Sequence, residues 1–151
     1  MSLDRDIARL ARTAPFDLLP ADALKLIAFS AERKNFAAGE TLFEQGEDAD
    51  CAYFLLSGSA LLTAHGEGPA KRKQVAAGAL LGEMAILAST KRPASAKARE
   101  DCVALRIPRQ VIHRVLAEFP GEAARIRTAL AERTRQMAAE LDAVRKRAKL
   151  G

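Results

Sequence analysis

Between Gly78 and Ala98 the chain reads GALLGEMAILASTKRPASAKA, and this stretch concentrates its polar chemistry. A short β-type run ends at Leu80 and Leu81 and meets Gly82 and Glu83, after which Met84 to Leu87 suits one helical turn. A helix start of this kind presents unpaired backbone N–H groups and a positive dipole end, which suits a single phosphate. Glycine at 82 lets the backbone approach a ligand closely. Arg92, ten residues on, can return a guanidinium to the same anion with paired hydrogen bonds. Glu83 beside a phosphate is electrostatically poor, unless it faces a ribose hydroxyl and accepts from it. These pieces describe a cavity for a sugar phosphate of low charge. Plainer readings stand beside them: Glu83 as a helix-start acid and Arg92 as an exposed loop charge.

Other chemistries have less to work with. The two histidines, His65 and His113, have no neighbours at metal-ligand spacing, which argues against a metal-dependent enzyme. No nucleophile–base pair stands out, so no catalytic residue is assigned and no enzyme activity is expected. Cys51 and Cys102 belong to no CxxC motif, and two free thiols in strands are the simplest reading, with a pairing left open.

The elements that must position this stretch follow from periodicity. Residues 4–30 read as helical in two pieces divided by Pro15 and Pro20, with stripes at Ile7, Leu10 and Ala11 and at Leu24, Ile27 and Ala28. Pro20 followed by Asp22 suits a first helical turn. From Arg33 short β-type runs alternate with turns at Gly39, Gly46 and Gly58, as in a roll or barrel built from hairpins. A hairpin tip at His65 to Gly68 leads into a polar strand, Lys71 to Val75. Further strands are expected at Ala94 to Arg99 and Val103 to Pro108. Val111, Ile112, Val115 and Leu116 then mark a short helix closed by Pro120, and a long helix follows over 121–148.

That last helix, about 40 Å long at the standard rise, exceeds what covering such a domain requires. Leu130, Thr134, Met137, Leu141, Val144 and Ala148 alternate at spacings of four and three, the pattern of a coiled-coil seam and of a possible homodimer. The alternative is that the stripe packs on its own β-roll. From Arg125 to Lys149 eight basic residues face three acids, which accounts for the whole net charge of +5. A solvated basic face explains this more simply than nucleic-acid binding. No apolar run approaches the roughly 18 residues of a membrane span, and MSLDRDIARLAR has no apolar signal core. A cytoplasmic protein with no membrane partner is expected.

The stretch Gly82, Glu83, Met84, Ala85, Ile86, followed by Arg92, Pro93, Ala94, Ser95, resembles the phosphate-binding cassette of the cyclic-nucleotide-binding domain family. That family includes kinase regulatory subunits, cyclic-nucleotide-gated channels and the bacterial catabolite activator protein. Residues 36–62, FAAGETLFEQGEDADCAYFLLSGSALL, resemble the same family at Gly39, Gly46 and Gly58 and along Tyr53 to Leu56. The resemblance covers residues 15–140. It implies an α+β, mainly β fold: an antiparallel eight-stranded β-roll (a double-stranded jelly roll) with flanking helices. One domain is expected, with a helical segment at 1–30, the roll at 31–108 carrying the cassette at 78–98, and helices at 109–119 and 121–148.

By resemblance, Glu83 accepts the ribose 2′-hydroxyl, Arg92 pairs with the cyclic phosphate, and backbone N–H groups near Gly82 and Ala85 complete the cradle. Leu81, Gly82, Glu83, Met84, Ala85, Arg92, Pro93, Ala94 and Ser95 are the expected ligand contacts. Arg127, Thr134, Met137 and Leu141 are candidates to cap the base, with seam or surface roles as the alternative. Pro93 departs from the usual Ser, Thr or Ala and offers neither hydroxyl nor N–H. A threonine there goes with cyclic GMP, so the expectation leans to cyclic AMP. Ser95 either supplies a hydroxyl or caps a strand, and the second reading is favoured. The implied function is a sensor that needs no cofactor, takes cyclic AMP or cyclic GMP as ligand and regulates a separate protein through its C-terminal helix. The alternative is a scaffold whose pocket no longer binds. Only ten residues follow Leu141, so neither a recognition helix nor specific DNA binding is expected.

Overall fold

The computed structural model describes residues 2–83, 85 and 89–150, the side chains of 2, 134 and 137–150 excepted. Helix α1 (Ser2–Ala11), a 3₁₀ turn at Phe16–Leu18 and helix α2 (Ala21–Ser30) lead into the β region. Pro20 stands immediately before α2, where its missing N–H costs nothing. Among the described residues ten strands follow: β1 (Glu32–Phe36), β2 (Thr41–Phe43), β3 (Asp48–Ala49), β4 (Cys51–Ser57), β5 (Ser59–Ala64), β6 (Lys71–Ala76), β7 (Leu80–Leu81), β8 (Thr90–Lys91), β9 (Ser95–Ala98) and β10 (Cys102–Pro108). Helices α3 (Arg109–Glu118) and α4 (Pro120–Leu150) close the chain.

The fold is the expected antiparallel roll between helices. One sheet runs β1-β10-β4-β7, a second β2-β9-β5-β6, and β3 pairs with β8. The count exceeds eight because β3 and β8 are two-residue strands held only by each other, too short to leave a periodic signal. Pro120 opens α4 instead of separating two helices, since a first helical position needs no N–H donor.

Strand β4 shows why the two layers form. Ala52, Phe54 and Leu56 point to the helical side, where Leu10, Phe16, Ile27, Val115, Ile126 and Leu130 pack. The alternate residues Cys51, Tyr53 and Leu55 point into the roll, against Leu62, Leu81, Ala96 and Ala104. Successive side chains of a strand face opposite ways, so a strand apolar at every position is buried on both faces. Leu130, first residue of the seam pattern, is thus spent on the chain's own core. The side chains of Thr134, Met137, Leu141, Val144 and Ala148 lie outside the described residues.

The turn between β4 and β5 requires glycine. Gly58 has φ +84°, and a Cβ there would lie 2.4 Å from the Asp101 carbonyl oxygen. Both cysteines are free and buried, and no described group of His, Cys, Asp and Glu could hold a metal ion. No described helix is long and apolar enough to cross a membrane.

Candidate functional site

Arg92 follows β8 and turns inward: it is 4% exposed. Its backbone is pinned on both sides. The Gly46 N–H donates to the Arg92 carbonyl at 2.9 Å, and the Arg92 N–H donates to the Glu47 carbonyl at 2.8 Å. At the other end Nη2 donates to the Cys51 carbonyl oxygen at 2.9 Å and lies 3.4 Å from the Cys51 Sγ. The guanidinium carbon sits 4.2 Å from the centroid of the Phe43 ring. Nε and Nη1 are buried without a hydrogen-bond partner. Among the described residues no carboxylate pairs with Arg92, although buried charges are ordinarily paired.

Gly82 supplies the facing wall. Its φ of +73° belongs to the left-handed region, and a Cβ there would stand 2.3 Å from Nη1 of Arg92. Gly82 thus leaves room for the Arg92 guanidinium. The Ala85 N–H donates to the Gly82 carbonyl at 3.1 Å, and Ala85 is fully buried.

Glu83 is 3% exposed and faces the C-terminal helix. Its Oε1 lies 3.8 Å from Nε of Arg133, whose Nη1 donates to the Ala14 carbonyl at 3.2 Å. Arg133 therefore ties α4 both to the cassette and to the N-terminal segment. Sequence reading missed it, because nothing local distinguishes it from the other basic residues of this helix. Arg127, considered instead, is exposed.

Leu81 is buried in β7 and Ala94 is buried just before β9, while Pro93 points to solvent. Ser95 opens β9, and its Oγ accepts from the Gln45 N–H at 2.9 Å, which holds the turn after β2. Met84 lies outside the described residues, as do the side chains of Thr134 and Met137. The structure thus brings Gly82 and Arg92 together, with Cys51 and Phe43 completing the enclosure. Neither of these two was expected there: both contacts span more than forty residues and exist only once the roll has closed.

Behind Phe43 the aromatic packing continues. Its ring stacks on Tyr53 at 6.1 Å, and Phe36 meets Tyr53 edge-on at 6.0 Å. Burial, and then the charge of neighbouring Cys51, push the Tyr53 phenol up to about 12, so it stays protonated near neutral pH.

The family model for the cyclic nucleotide-binding domain matches residues 33–119, which contain this entire enclosure. The chain belongs to that family. A cyclic nucleotide-binding-like protein from Brucella abortus has 37% sequence identity and a TM-score of 0.68, with 76% of this chain and 99% of that one covered. Lysophospholipase nte1 of Aspergillus niger is 29% identical over 115 residues, which are 74% of this chain and 7% of the relative. The cAMP-dependent protein kinase regulatory subunit of Candida albicans is 27% identical over 103 residues, 68% of this chain and 22% of that protein. This cyclic nucleotide-binding domain thus spans only a small part of the curated relatives it matches. The nte1 likeness concerns only a small part of that protein.

Proposed function

We propose that this domain is a sensor that binds a cyclic nucleotide, cyclic AMP in preference to cyclic GMP, and regulates a separate protein. The observation that carries this reading is the buried guanidinium of Arg92, whose Nε and Nη1 lack partners beside a glycine-led turn. Burying an unpaired charge costs several kcal/mol after relaxation, about enough to offset much of a domain's stability. A cyclic phosphate would supply the missing acceptors, as the cassette resemblance implies.

The preference for cyclic AMP is supported by Pro93, which has no hydroxyl to offer a guanine base, and by the name of the Candida relative. Signal output is assigned to α4. Arg133 holds the helix to Glu83, the residue proposed to receive the ribose hydroxyl, so ligand entry alters the contact that fixes the helix. A ligand shifts such an equilibrium by its differential affinity for the two arrangements.

Isothermal titration of nucleotide-stripped protein with cyclic AMP and with cyclic GMP tests the proposal. Saturable binding that is tighter for cyclic AMP is expected. Heat-silent titrations together with no thermal shift would remove the sensor role and leave a scaffold with the same fold.

A further inference from the structure

Everything that fixes Arg92, apart from Gly82, comes from the short segment between Phe43 and Cys51. Gly46 and Glu47 hold its backbone, the Cys51 carbonyl holds Nη2, and the guanidinium carbon lies over the Phe43 ring, 4.2 Å from its centroid. No carboxylate among the described residues shares in this. The ring is itself restrained: Phe43 is 6% exposed, pairs with Ala96 through the β2–β9 register and stacks against Tyr53.

We propose that Phe43 is a positioning residue for anion binding, whose π-face holds the Arg92 guanidinium so that Nε and Nη1 remain available to the phosphate. A carboxylate in that place would compete with the phosphate for the same donors. An aromatic face attracts the cation through its ring quadrupole without taking an N–H in the guanidinium plane. The ring therefore steadies a buried charge and leaves its hydrogen-bonding capacity unspent. This inference rests on the cyclic-nucleotide reading for its ligand, but not for the contact itself.

The test replaces Phe43 with mono-, di- and trifluorinated phenylalanines, which weaken the ring's negative face while nearly preserving its shape. Affinity for cyclic AMP should fall stepwise along the series. Phe43→Leu, apolar but ringless, should lose about 2- to 30-fold. If the unsubstituted chain binds and the fluorinated series is flat, packing alone explains the ring and the proposal fails. A second readout is the exchange of the Arg92 Nε–H with water in the ligand-free protein, followed by nitrogen-edited NMR. That exchange should quicken as fluorines are added. If the unsubstituted chain binds neither nucleotide, the sensor reading fails, and this exchange series alone decides: a graded increase upholds the ring's role and no change overturns it.

Discussion

Nε of Arg133, on the long C-terminal helix, lies 3.8 Å from Oε1 of Glu83, a carboxylate that is itself almost wholly buried. The pair joins the long C-terminal helix to the residue proposed to receive the ribose hydroxyl. The Glu83 side chain is only 4% exposed, so Arg133→Ala leaves a buried carboxylate without this cation. The variant should lose stability in urea unfolding, by up to about 3–5 kcal/mol, while cutting the link. Hydrogen exchange at residues 121–133, expected to respond to cyclic AMP in the parent, should lose most of that response in the variant. An undiminished response would detach the helix from Glu83.

Arg92→Ala should lower cyclic AMP affinity by about 30- to 1000-fold, since a bidentate charge-assisted contact is worth about 2–4 kcal/mol. The same change removes two buried donors without partners, so the urea midpoint of the ligand-free variant should not fall. Calorimetry and equilibrium unfolding check the two halves separately. Unaltered affinity would take Arg92 out of the site.

Gly82→Ala places a methyl group where Nη1 of Arg92 stands and forces an L-residue into a positive φ, at about 1–2 kcal/mol. Displacement of the guanidinium should weaken cyclic AMP binding at least tenfold, or by roughly 1.4 kcal/mol. An alanine variant with parental affinity would show that Arg92 can move aside and still bind.

Tyr53 is the only tyrosine in the chain, so phenolate absorbance reports it alone. Its pKa is raised from 10.0 to about 12 by burial and by Cys51, so the native state keeps a proton that the unfolded state loses first. Its contribution to stability is complete below pH 10 and is lost as pH rises towards about 12. Tyr53→Phe should flatten that part of the stability profile. Absorbance titrating at the ordinary value in folded protein would contradict the burial of the hydroxyl.

The sequence made β4 and the cassette legible for different reasons. The run from Cys51 to Leu56 is apolar at every position, which announces a strand buried on both faces. Gly82 and Arg92 stand at a spacing that suggested one anion between them. Phe43 and Arg133 gave no such warning. The contact from 43 to 92 depends on how β2 meets β9, and that from 133 to 83 on where a long helix crosses the roll. Pairings created by closure leave no local periodicity, and a cation on a basic helix does not reveal which of its turns will meet an acid.

Strand β6 is the outer border of its sheet and presents Lys71, Arg72 and Lys73 in succession. A border strand offers unpaired backbone groups to any second chain that comes alongside. Two copies meeting there would bring like charges together at close range. A sheet bordered this way discourages its own extension by a second copy.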